Sequence, residues 1–420
     1  MTNNNCENVN IPVKNQGAPM FPVALIVVCA LCMIVAVTLH SALLPYNNTI
    51  LYETPIDTYT DTYTDLLETF TDVIESSVDE SSEVSSVAES SVETESSYTP
   101  PPQSVVSTPA VVENNIINYK SRQTYSMMWN GIEKLYEEYS DILSYTTYGK
   151  STKGRNLFLV KIGTGNKKGL IVAGMHGTEH ITTTYALRCI EDYCRAYVDG
   201  GSYGKYNVKD LLSKYTLYIV PNCNPDGSEI AHNGDSPLVS VKGFSDRSDS
   251  AYYKANANGV NLNRNFPFYF NSLTMPSSVP HLEDYKGTSG ASEVETQKLI
   301  ELCNANSFQF MLTLHVRGNL TYWSDSVTPN AGGISDGLCS KYSSELGLRK
   351  EVKTTNVNDY AGGFENWFRY TYQRPGICVE LMPTYYSITG SSSGNEQNFD
   401  NVVRWSSTKY LFALTMDYVG

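Results

Sequence analysis

Residues 119–420 predict an α/β domain with a largely buried sheet. Short apolar runs of strand length alternate with amphipathic stretches of helical period, which sets helices against a sheet. This part of the chain is electrically neutral, with 29 Lys+Arg against 29 Asp+Glu. At about 300 residues it can bury a substantial core.

The elements follow in order. Trp129, Ile132, Leu135 and Tyr136 recur at helical spacing and predict an amphipathic helix over 124–138. LFLVKIG and GLIVAGM read as short apolar strands. A helix is expected over 181–198, a strand at TLYIVPN, a helix over 292–306 and a strand at FQFMLTLH. Residues 362–371 suggest a helix, GICVEL a strand, and 396–418 one closing helix. No internal repeat interrupts this pattern.

The first 118 residues have a different texture. Residues 1–20 are polar, and 21–44 read FPVALIVVCALCMIVAVTLHSALL without a charge. That run is long enough to cross a hydrocarbon core of about 30 Å as a helix. A cleaved signal peptide would have a shorter apolar region, and a buried core helix would not be flanked by polar segments. Lys14 precedes the run and no Lys or Arg follows until Lys120. The expected arrangement is therefore a short cytoplasmic tail (1–20), a single-pass anchor in the cell membrane (21–44), and the rest outside.

Residues 49–118 hold 14 Asp/Glu and no Lys or Arg, so the net charge of −14 resides there. Acids repeat every four residues in DTYTDTYTD, and a Ser/Glu-rich tract follows. Like charges at that spacing oppose a helix, and the composition cannot bury enough apolar area to order the chain. Residues 45–118 are expected to be a disordered acidic stalk. The domain beyond has no Lys/Arg stripe to neutralise phosphates, so nucleic acid is not an expected partner.

Six of the nine cysteines lie in the outer domain, an even number that permits disulfides. Cys223 and Cys378 fall in expected strands, where a free thiol acts as a small core group.

Few residues carry chemistry. His176 follows the strand GLIVAGM, and Glu179 stands three residues on, so both can face one point. His315 closes the strand FQFMLTLH. Three N/O donors with a fourth position open to water suit a catalytic zinc, and ligands collect beyond the carboxyl ends of strands in α/β sheets. Glu380 sits in the apolar strand GICVEL, where burying a carboxylate needs a partner; beside a metal it suits a general base. Asn263 and Arg264 offer donors for a carboxylate.

HGTE (176–179), NPDG (224–227), YYKANANGVNLNRNFP (252–267), LTLHVRG (312–318), YAGGFENWF (360–368) and GICVEL (376–381) occur in this order. Together they resemble the zinc carboxypeptidases of the carboxypeptidase A type, the funnelins. The KANANGV…LNRNFP wording is most similar to the bacterial branch that includes γ-D-glutamyl-diaminopimelate peptidases. The resemblance spans about residues 120–418 and implies a mixed, mostly parallel central sheet flanked by helices. It implies one zinc ion held by His176, Glu179 and His315, with Glu380 as general base. Asn263 and Arg264 would hold the substrate's terminal carboxylate. Arg247 would polarise the scissile carbonyl, with Lys254 as a competing cation, and Tyr360 would close over the substrate. Glu365 would lie at the floor of the side-chain pocket, facing an ammonium such as that of Lys or diaminopimelate. Arg317 would meet a second substrate carboxylate. The expected activity is hydrolysis of peptide bonds, with peptidoglycan stem peptides as a candidate substrate. A peptide- or wall-binding protein with impaired catalysis is the alternative, and a serine hydrolase is set aside.

One departure bears on the metal. The family's Asp that orients the first zinc histidine is replaced by Asn261, which accepts from an imidazole N–H without adding charge. His180, His232 and His281 are expected to be exposed loop or edge histidines.

Overall fold

The computed structural model describes residues 115–420, except 247, 329–332, 353–355, 385 and 387–392. The expected tail and anchor, and the expected stalk up to residue 114, lie outside the described residues. Among the described residues no helix is long and apolar enough to cross a membrane.

Among the described residues there are ten strands. These are β1 (Leu143–Lys150), β2 (Asn156–Ile162), β3 (Lys167–Val172), β4 (Ser202–Tyr203), β5 (Tyr206–Asn207), β6 (Tyr215–Val220), β7 (Phe308–His315), β8 (Leu320–Tyr322), β9 (Arg349–Glu351) and β10 (Gly376–Glu380). Strands β4 and β5 form a separate small hairpin, and the other eight form one sheet in the order β1-β2-β6-β3-β7-β10-β8-β9. The four central strands β6, β3, β7 and β10 are mutually parallel. Antiparallel pairs join β1 to β2, β2 to β6 and β10 to β8, and β8 pairs with β9 in parallel. This is the mixed, mostly parallel sheet that the resemblance implies.

Helices cover both faces. Helix α1 (Tyr125–Tyr139) starts at Thr124, whose hydroxyl accepts from the Met127 N–H at 3.1 Å. It buries Met128, Ile132, Leu135 and Tyr139, one stripe at helical spacing. It lies on the same side as α2 (Ile181–Val198), and this side packs against Ile171, Leu312, Leu314, Ile377 and Val379. The opposite side contains Leu170, Val172 and Met311, under α5 (Val294–Asn304) and α7 (Phe364–Tyr372). Alternate strand residues thus feed two cores, because successive side chains point to opposite faces. Two shorter helices, α3 (Val208–Lys214) and α4 (Pro225–Asn233), flank β6, and α6 (Ile334–Lys341) precedes β9.

Three expectations change. Strand β1 was not anticipated; its polar sequence LSYTTYGK suits an edge strand in which every residue but Leu143 is exposed or half-buried. The single closing helix expected over 396–418 is four pieces: α8 (Ser393–Gln397), α9 (Phe399–Val402), α10 (Trp405–Thr408) and α11 (Leu411–Val419). Arg404 breaks it in a left-handed conformation at φ 54°. Finally, residues 115–118 belong to the domain and not to the spacer. Ile117 is buried in the core, and the backbone N–H groups of Ile116 and Ile117 donate to the Glu191 carboxylate at 2.8 and 3.0 Å. All six cysteines of the domain are buried, and among the described residues no disulfide joins them.

Ile117→Ala should lower the unfolding free energy by about 2–5 kcal/mol, as expected for truncating a buried Ile. A denaturant titration checks it, and an unchanged midpoint would return residues 115–118 to the spacer.

Candidate zinc centre and catalytic cavity

Strands β3, β7 and β10 lie side by side and point the same way, so their carboxyl ends share one edge. His315 is the last residue of β7 and Glu380 the last of β10, and the two are register partners. His176 and Glu179 lie on the turn that leaves β3 and enters α2. Gly177 is required in that turn. A Cβ there would stand 2.4 Å from the Gly227 carbonyl oxygen and 2.7 Å from that of Tyr253. NPDG supports the same turn from below. Asn224 caps α4 through the Gly227 N–H, and its side-chain amide donates to the carbonyls of Met175 and Ala255 at 3.0 and 3.1 Å.

Of the expected site residues, His176, Glu179, Asn263, Arg264, His315, Tyr360, Glu365 and Glu380 line one cavity of about 370 Å³. Arg247 lies outside the described residues. Its competitor Lys254 lines the cavity and is ion-paired with Glu283.

The donors of His176, Glu179 and His315 lie within 4.8 Å of one another. His176 Nδ1 is 2.7 Å from one Glu179 oxygen, and His315 Nδ1 is 3.1 Å from the other. Both outer nitrogens point away: His176 Nε2 lies 3.2 Å from Asn261 Oδ1, and His315 Nε2 lies 3.5 Å from Glu365 Oε1. Two imidazole nitrogens and a carboxylate converging on one point, each ring held from behind, form a donor set that fits zinc. A second group, His315, Glu365 and Cys378, shares one of these histidines.

The electrostatics agree with a cation at this point. Burial opposes a charged His315, but hydrogen bonds to Glu179 and Glu365 overcome it and raise its pKa to about 10. Burial alone would raise the Glu365 carboxyl, yet His315 and the Thr313 hydroxyl bring it down to about 2. Glu179 is also pulled well below the carboxylate range, against burial, by His176 and His315. Burial draws the His176 pKa down instead, so metal binding to such a site displaces a proton chiefly from His315.

The remaining residues have distinct surroundings. Asn263 accepts from the Phe364 N–H at 2.8 Å, tying its loop to the start of α7. Arg264 is half-buried, and among the described residues no carboxylate forms an ion pair with it. Burial draws its pKa down, with Glu365 opposing. Tyr360 is a buried wall of the cavity, its hydroxyl 2.7 Å from Ser326 Oγ. Arg317 also lines the cavity, and its guanidinium donates to the carbonyls of Thr384 and Tyr386.

The other histidines need correction. His180 is buried, hydrogen-bonded to Glu396 and set edge-on to His232 at 4.3 Å. His281 is half-buried and accepts from the N–H groups of Glu283 and Asp284. An isolated histidine such as His180 gives no sequence signal of partners as distant as His232 and Glu396. The serine-hydrolase spacing GxSxG does occur, at GISDG (333–337) and at 390–394. Ser335 is fully buried in α6 and is not in the cavity, so it is no exposed nucleophile. The second string falls mostly outside the described residues.

Asn261→Asp should tighten zinc binding about 10–100-fold by returning a charged partner to His176. Competition with a chelator measures it, and equal affinity would remove Asn261 as that partner.

Comparison with known proteins agrees with this geometry. Residues 128–413 match the family model described as zinc carboxypeptidase, Peptidase_M14. The chain is 29% identical over 274 residues to gamma-D-glutamyl-L-diamino acid endopeptidase 1 of Lysinibacillus sphaericus, covering 63% of this chain and 67% of that protein. Bovine thrombin-activatable fibrinolysis inhibitor, in complex with tick carboxypeptidase inhibitor, shares the fold. The TM-score is 0.55 at 17% identity, covering 72% of this chain and 99% of that one. Carboxypeptidase A from Helicoverpa armigera gives 0.56 at 16% identity, covering 72% and 74%. With its family model spanning both histidines, Glu179 and Glu380, the chain belongs to the zinc carboxypeptidase family and is a zinc-dependent peptidase-type hydrolase.

Proposed function

We propose that this protein is a membrane-anchored, outward-facing metallopeptidase that hydrolyses a peptide bond near a free carboxylate, with stem peptides of peptidoglycan as its substrate class. The observation that carries the chemistry is the pairing of Glu380 with His315 across the parallel β7–β10 ladder. It puts a carboxylate on the wall of the cavity that contains the metal donors. Zinc in such a centre acidifies water and polarises a carbonyl.

The chain's own residues supply the rest. Glu380 takes the proton of the attacking water and returns it to the leaving amine. Arg264, a half-buried cation in the cavity, attracts the substrate carboxylate, and Asn263 orients it. That clamp decides which bond reaches the metal. The cation that stabilises the developing oxyanion is Arg247 or its competitor Lys254, which lines the cavity, and Tyr360 bounds the substrate.

Support for the substrate class is chemical and comparative. The bacterial wording of 252–267 and the 29% identity to a gamma-D-glutamyl-L-diamino acid endopeptidase both favour stem peptides. Support for the anchor is the uncharged 24-residue run at 21–44, followed by the acidic spacer.

The test uses the zinc-loaded chain with stem peptides and with ordinary peptides, each with a free or blocked C-terminus, and mass analysis of products. Cleavage of stem peptides that requires a free carboxylate is expected. Equal cleavage of blocked peptides would remove the clamp. Glu380→Gln should lower kcat by about 10²–10⁴-fold while zinc stays bound, and a near-normal kcat would refute the mechanism. His176→Ala should lose zinc and activity together.

A chain starting at residue 115 should be soluble, with kcat/KM on small peptides unchanged, while the full chain should sediment with membranes. A full chain recovered in the soluble fraction would remove the anchor.

A further inference from the structure

A zinc-bound imidazole is oriented by what its second nitrogen donates to, and a carboxylate there also raises its basicity. The two histidines of this centre differ in that respect. His176 Nε2 faces the neutral Asn261. His315 Nε2 faces two side chains, Asn263 Nδ2 at 3.4 Å and Glu365 Oε1 at 3.5 Å. The Asn263 amide oxygen already accepts from the Phe364 N–H, so the group it turns to His315 is a donor. With Nδ1 directed at the metal position, the acceptor that faces the Nε2–H among the described residues is the Glu365 carboxylate.

Glu365 is held for this task from two sides. The Thr313 hydroxyl donates to Oε1, and Thr313 stands two residues before His315 on the same face of β7. Glu365 itself lies in the first turn of α7, and α7 is fixed by Arg369. That buried guanidinium pairs with Asp325 at 2.7 Å and donates to Thr328 and to the Gly376 carbonyl on β10. The Glu365 side chain is 6% exposed, leaving little surface for a substrate.

We propose that Glu365 is a positioning residue for His315, supplying to the second zinc histidine the carboxylate that Asn261 denies to the first. This rests on the zinc-peptidase reading and assigns Glu365 away from an ammonium-binding pocket floor. The charge of the orienting shell is retained but moved to the other ligand.

The experiment is zinc affinity by chelator competition, with the visible spectrum of the cobalt(II) form as a second readout. Glu365→Gln should weaken zinc binding about 10–100-fold and shift the cobalt bands. Adding Asn261→Asp to it should bring the affinity back toward the wild-type value. Thr313→Val, which frees Glu365 without touching a ligand, should give a smaller loss and serves if Glu365→Gln fails to fold. Wild-type affinity in both single variants would overturn the proposal. So would a Glu365→Gln effect confined to kcat/KM for Lys-ended over Leu-ended peptides. A wild-type chain that binds no zinc would instead defeat the underlying peptidase reading.

Discussion

The parallel ladder of β3, β7 and β10 is the constraint on which the centre depends. Parallel strands bring their carboxyl ends to one edge, and their crossovers put helices on both faces. The register then sets His315 beside Glu380. The two-residue period puts Thr313, His315, Cys378 and Glu380 on the face covered by α7. A one-residue slip of β10 would turn Glu380 into the opposite core. The His176 turn joins from β3, with Gly177 and Asn224 holding it close to α4.

The same edge concentrates buried charge. Glu179, His315 and Glu365 are each nearly or wholly enclosed, which is costly for isolated ions. They are tolerable because they are contiguous: each carboxylate contacts a histidine, and His315 touches both. A divalent cation would satisfy Glu179 and the inward nitrogens of both histidines at once, with Glu365 left to the outer nitrogen of His315. The cluster is therefore arranged for a metal more than for stability, and removing one member leaves the others uncompensated. Arg264 stands outside this neutralisation, which leaves its charge for a ligand. Arg369 does the structural counterpart, pairing with Asp325 behind the cavity wall and fixing α7.

The legible part of the fold followed from periodicity. The central strands and the helices at 181–198 and 294–304 are apolar in a single pattern, and the sequence marks them clearly. Strand β1 and the broken C-terminal helices were hidden because an exposed edge strand needs no apolar run. A left-handed kink at Arg404 likewise needs no glycine. Residues 115–118 looked like the end of the spacer because Ile116 and Ile117 have their partner, Glu191, more than 70 residues away.

At the site, the sequence by itself determined which residue types stand at strand ends: His176, Glu179, His315 and Glu380, with Asn263 and Arg264 between. Their motifs are local and occur in the family's order, so the resemblance carried them, and Asn261 could be recognised as a neutral substitute for the family's Asp. Only the tertiary structure decided what faces each imidazole from behind. It turned Glu365 to Thr313 and His315, made Tyr360 a buried wall, and joined His180 to His232 and Glu396. Those pairings cross 50 to more than 200 residues of chain. They depend on strand register and helix placement, and no local pattern encodes either.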